Sequence, residues 1–132
     1  MVAFLSFDEL HRVILIKFAG TLTDEVLLSH FKLVREWLTV HGHHSNITDF
    51  SDVTSFEVTA QAVSQLAAGA PLVPDDYLRV VIAPQDEVFG MVRMFEMLGS
   101  GTRDRVHIVR TVAEAYELTG IESPGFRPVL NL

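Results

Sequence analysis

A chain of 132 residues, 48% hydrophobic and 20% charged, has the length and balance of one globular domain with a substantial core. Its 17 acidic residues against 10 basic ones give a net charge of −7, a field that repels nucleic acid and anionic membrane surfaces, and no apolar run is long enough to span a bilayer. The absence of cysteine excludes disulfides, thiolate metal sites and thiol chemistry.

Met1–Phe7 lacks a basic flank, so no signal peptide and a cytoplasmic location are expected. Val2–Phe7 and Arg12–Phe18 read as strands, the second strongly β-branched and aromatic. The short polar connector Asp8-Glu9-Leu10-His11 makes them an antiparallel hairpin. Gly20 is expected to end the second strand. Thr23 caps a first helix over Asp24–Val40, with Leu27, Phe31, Val34 and Leu38 on one stripe and Val26, Leu33, Trp37 and Val40 on another. Asn46–Phe50 is a third strand, followed by a connection over Ser51–Val58. Thr59 caps a second helix to Ala68, and Pro71 and Pro74 break the chain after it.

Tyr77–Ala83 is a strand apolar on both faces, the mark of a central strand covered from two sides. Asp86 caps a third helix over Glu87–Leu98, whose inward arc is Val88, Met91, Val92, Phe95 and Leu98. Gly99 and Gly101 follow, then a fifth strand over Arg105–Arg110. Thr111 and Glu114 have capping-box spacing for a fourth helix to Leu118. The order ββαβαβαβα implies an α/β fold: one domain, a five-stranded, mostly parallel mixed sheet and helices on both faces. Residues 1–120 form the domain, and 121–132 a mainly irregular tail whose Phe126, Val129 and Leu130 pack on the domain or on a partner.

Four runs carry a resemblance: Ile14 to Thr23 (ILIKFAGTLT), Thr48-Asp49-Phe50-Ser51, Val81-Ile82-Ala83-Pro84, and Phe89 to Glu96 (FGMVRMFE). They resemble the STAS or SpoIIAA-like family of bacterial anti-sigma factor antagonists. Closer still are the small SpoIIAA-like STAS proteins, which are also likened to lipid carriers. The resemblance spans Phe4 to Leu118 and implies regulation by protein binding, without catalysis or cofactor. In the antagonist branch a serine at the start of the second helix is phosphorylated. Here that position is Val58, preceded by Glu57 and followed by Thr59 and Ala60, so the phosphoryl switch is not expected unless the register slips by one and Thr59 takes the serine's place.

Candidate contacts fall in two places. Asp49, Ser51, Asp52, Glu57, Val58 and Thr59 lie at a strand end, where α/β proteins bind their partners. The plainer alternative is turn satisfaction and helix capping. On the third helix Phe89, Gly90, Arg93 and Met97 fall opposite the inward arc, either as a partner surface or under the tail carrying Phe126. His41, His43 and His44 could ligate a divalent metal with Asp49 or Asp52, but a histidine tract at a helix end complements the dipole, and no metal site is expected. Nucleophile, P-loop and zinc-protease motifs are absent, and no catalytic residue is assigned.

The expected function is a non-enzymatic regulatory module that binds another protein or a second copy of itself as a homodimer. The alternative is a binder of a small apolar ligand or lipid, and third comes a hydrolase. Neither nucleic acid nor membrane insertion is expected.

Overall fold

The computed structural model describes residues 2–74, 76–99 and 106–129. Gly101, the Arg103-Asp104-Arg105 run and Leu130 lie outside the described residues. The elements are β1 (Ala3–Asp8), β2 (Val13–Thr23), α1 (Asp24–His41), β3 (Ser45–Glu57), α2 (Ala60–Ala68), β4 (Arg79–Ile82), α3 (Asp86–Leu98), β5 (Val106–Val109), α4 (Val112–Thr119) and β6 (Arg127–Pro128). They build an α/β fold around one mixed sheet of order β5-β4-β3-β2-β1-β6. The sheet has six strands where five were expected, because the tail adds β6 antiparallel to the outer edge of β1. The β1–β2 pair is antiparallel, and β2 through β5 are mutually parallel.

Three successive parallel connections step one strand at a time in the same direction. Right-handed crossovers then place α1, α2 and α3 on one face. That face holds the larger core, with Ile14, Ile16, Phe18, Leu27, Val34, Phe50, Val88 and Val92. Phe18 is fully buried, stacked on Phe50 at 5.2 Å, and Phe31 tilts against it at 5.9 Å. Burying each such side chain is worth roughly 1.5–3 kcal/mol. The other face holds a smaller core of Val13, Ile47, Val80, Ile82 and Val109 under Ala115 of α4 and Ile121. Among the described residues no helix is long and apolar enough to cross a membrane.

The caps act as read. Thr23, Thr59 and Thr111 each accept a hydrogen bond from the N–H three residues on. At α3 the N-cap is Gln85 rather than Asp86, and its side chain makes no capping bond. Two strands also run past their expected ends. Gly20 does not stop β2: it sits at φ +75° inside the strand, and the chain continues to Thr23. Ser51–Val58 is not a free connection, because β3 extends to Glu57. Together these extensions form a parallel ribbon beyond the ends of β4 and β5, with register shifts between Lys17 and Ala19 and between Gly20 and Thr21.

Two buried histidines bear on the acid stability of the fold. His30 is buried in α1, its Nε2–H donating to the Phe4 carbonyl at 2.8 Å, with Phe18 edge-on to its ring. Burial pushes this imidazole below its ordinary value more than the hydrogen bond restores it. His44, whose Nδ1–H donates to the Gly42 carbonyl, is shifted down for the same first cause. Both groups bind protons more readily in the unfolded chain, so stability falls as pH drops below about 6.5, by at most about 1.4 kcal/mol per pH unit per imidazole. The melting temperature is expected to decline between pH 7 and pH 5, and His30→Gln, which keeps a donor but does not titrate, to flatten that decline. An unchanged slope would rule out His30 as a source.

Candidate functional site

In β3, side chains alternate across the sheet, so Asn46, Thr48 and Phe50 face the three-helix side while Ile47 and Asp49 face α4. In β4 the same alternation turns Arg79 and Val81 to the three-helix side. Asn46 and Arg79 are cross-strand partners in the parallel register, so their side chains lie next to each other. Both are buried, at 4% and 6% exposure.

They stand at the floor of a partly open cavity of about 110 Å³ bounded by the sheet, α1, α2, α3 and the segment after α2. Its walls are apolar and include Leu27, Phe31, Phe50, Leu66, Val92 and Phe95. Arg35 on α1 and Ala70 stand on its exposed side, joined by a hydrogen bond from Arg35 Nη2 to the Ala70 carbonyl at 2.7 Å. The Asn46 Nδ2 amide is buried on this floor and has no hydrogen-bond partner among the described residues. A buried donor left unmade costs about 1–3 kcal/mol unless something occupies it.

At the strand end, Asp49 is buried on the α4 side, and its Oδ1 accepts from the Ser51 N–H at 2.8 Å. Asp52 is exposed and pairs with Lys17 at 2.9 Å. That hydrogen bond raises the Lys17 ammonium above the ordinary lysine value. Tyr116 on α4 is near both Lys17 and Asp49, and burial first, then the Asp49 charge, raises its phenol. Lys17 therefore stays charged and Tyr116 neutral at physiological pH, and neither is poised as a base. Lys17 and Tyr116 were not singled out in the sequence, since neither lies within the strand-end stretch.

Thr59 is committed twice. Its hydroxyl caps α2 and donates to Asp24 Oδ2 at 2.7 Å, while its N–H donates to Asp24 Oδ1 at 2.8 Å. A phosphate there would face the Asp24 carboxylate. Glu57 is exposed, and Val58 packs at the margin of the larger core.

On α3 the expected outer residues separate. Phe89 is half-buried in the larger core with the Arg110 guanidinium 4.0 Å over its ring, so it does not point freely to solvent. Arg93 pairs with Glu96, and no atom lies within 4 Å of a Cβ placed on Gly90. Met97 is 73% exposed. Leu98, placed on the inward arc by its spacing, is also exposed, at 51%, because it stands in the last turn before Gly99 where the helix leaves the sheet. Among the described residues, through Val129, the tail does not cover this face. Phe126 packs near Tyr116 on the opposite side of the sheet, and Val129 donates its N–H to the Leu5 carbonyl.

The histidines diverge. His41 stacks on Trp37 at 4.2 Å, His43 sits against Tyr77, and His44 turns its edge to Trp37. Among the described residues no group of three or more His, Asp or Glu is placed to hold a metal ion.

No protein-family model, curated protein or solved structure significantly matches this chain.

Proposed function

We propose that the chain is a non-catalytic binding domain of STAS-like type that takes a small apolar molecule into the cavity beneath α2. The observation that carries this reading is the unpaired, buried Asn46 amide on the floor of an otherwise apolar space. A plain core would fill that space with side chains and leave no donor stranded. The volume, about 110 Å³, approaches the roughly 150 Å³ in which a cavity takes up benzene. Toluene titrated into the labelled protein is expected to shift the methyl resonances of Val63, Leu66, Leu72 and Val81 and to raise the melting temperature by mass action. Shifts confined to surface methyls, with no thermal gain, would remove the reading.

Regulation through another protein is the second reading, favoured by the adjacent exposed Met97 and Leu98 at the end of α3. Serine at both positions is expected to weaken self-association in sedimentation velocity with stability held within about 0.5 kcal/mol. Unchanged sedimentation of a wild type that is itself monomeric would leave this face without a self-association role. Asp49, Asp52 and Thr59 at the strand end are engaged within the chain, and neither Lys17 nor Tyr116 offers a base there.

A further inference from the structure

We infer that the ligand of the cavity beneath α2 is an uncharged apolar molecule with a single carbonyl, a ketone or an ester, whose oxygen accepts the hydrogen bond that Asn46 Nδ2 offers from the floor. The inference rests on the proposed apolar-ligand reading and adds the ligand's polar group and its lack of charge. Three observations carry it.

The first is the donor. Asn46 is 4% exposed, and its Nδ2 finds no acceptor among the described residues. An amide nitrogen only donates, so the group that completes it from the cavity side is an acceptor. Water fills this role poorly, because a buried water needs several polar partners and most of the walls are apolar.

The second is the lack of charge open to a ligand. Two arginines line the cavity, and both are engaged already. Arg35 Nη2 donates to the Ala70 carbonyl at 2.7 Å, and Arg79 has an interaction partner within the chain. No Asp, Glu, Lys or His is among the described lining residues. An ion taken in here would shed its hydration without gaining a free counter-charge, whereas a neutral carbonyl sheds far less and regains one hydrogen bond.

The third is the layout of the floor. Asn46, Thr48 and Phe50 share one face of β3, so the donor and an aromatic ring lie along the same floor. Phe31, Leu66 and Phe95 add to the apolar walls. This suits a molecule whose one acceptor sits at the edge of an apolar body. The volume limits that body to about one ring or a short branched chain.

The test compares cyclohexanone with methylenecyclohexane on the full chain at pH 7. The two probes share size and shape and differ by an oxygen in place of a methylene. Affinities are read from the methyl resonances of Val63, Leu66 and Val81, and the Asn46 side-chain amide is followed in the same titrations. The ketone is expected to move that amide's protons downfield, and the alkene to leave them near their starting position. In Asn46→Leu, which removes the stranded donor and keeps a similar volume, the ketone-to-alkene affinity ratio is expected to fall at least about tenfold. Comparing ratios between the two proteins cancels the different hydration of the probes. Cyclohexanecarboxylate is expected to bind the wild type at least about tenfold more weakly than the ketone. An unchanged ratio would overturn the placement of an acceptor at Asn46 while leaving an apolar ligand in place. Carboxylate binding as tight as the ketone's would overturn the lack of charge. Failure of all three probes to bind would overturn the ligand reading itself. Should Asn46→Leu not fold, the wild-type side-chain amide decides: equal shifts with ketone and alkene would overturn the carbonyl assignment.

Discussion

Gln85→Glu is expected to destabilise the fold at pH 7 by about 3–5 kcal/mol, a large part of what a domain of this size has available. β4 stops at Ile82 while β3 continues, so the carbonyls on that side of the β3 extension have no strand to pair with. The Gln85 side chain takes this role from the N-cap of α3. Its Nε2 donates to both the Phe50 and the Val53 carbonyl at 2.9 Å. Because both partners are acceptors, the orientation of the amide is fixed: nitrogen must face β3. A glutamate removes both donors and sets a negative charge against two carbonyl oxygens. Gln85→Met removes the donors without the charge and is expected to cost about 2 kcal/mol. The glutamate's folded pKa must rise above its unfolded value near 4.3, so the extra penalty grows as pH rises through that range and vanishes below it. Urea denaturation at pH 7 and pH 4 measures both. A deficit below about 1 kcal/mol, or one independent of pH, would show that Gln85 does not hold the extension.

The same bond explains what the sequence concealed. The central strand was legible because Val80, Val81 and Ile82 are apolar on both faces, and only a strand covered from two sides tolerates that. The first helix was legible because Leu27, Val34 and Leu38 repeat on one stripe, and all three are buried. The β3 extension was not, because residues 51–57 are mostly polar and stay extended through pairing with β2, a partner more than thirty positions away. Gly20 misled for a related reason. A glycine at positive φ ends many strands, but here it serves a register shift and the ladder resumes at Thr21.

The candidate site was partly encoded. The alternation of Asn46, Thr48 and Phe50 with Ile47 and Asp49 assigns two faces, and Arg79 follows from the same rule in β4. What alternation cannot say is that α2, with its alanines, and the segment after it leave open space above the polar pair. That depends on how three helices meet, which is a tertiary fact. In the sequence the hydroxyls and carboxylates at the strand end are the more conspicuous groups. Asp49, Ser51 and Thr59 turned out to be bonded to their own chain, as residues at turns and caps commonly are.

Asp8→Ala is expected to cost about 2–4 kcal/mol at pH 7 and to release the C-terminal segment from the sheet. In the sequence Asp8 is one residue of a hairpin connector. In the structure it is 2% exposed and accepts from the His11 N–H at 3.1 Å, the His11 ring at 2.8 Å and the Gly125 N–H at 3.0 Å. The last bond joins positions 117 apart and sets the chain so that Arg127 and Pro128 fall beside β1. Burial alone would push this carboxyl up, but the bonds from Gly125 and His11 outweigh it and hold Asp8 below the ordinary aspartate value. A depressed carboxylate contributes fully above its unfolded pKa of about 3.9 and loses that contribution as pH falls through the folded value. Wild type and variant should therefore differ most near neutrality and converge in acid below that range. Hydrogen exchange gives a second, local readout: the Val129 amide, bonded to the Leu5 carbonyl, should lose protection in the variant while amides of β3 and β4 keep theirs. Uniform loss across the sheet would instead mean that Asp8 supports the whole domain, and retained protection at Val129 would mean that the β1–β6 pairing holds the tail without it.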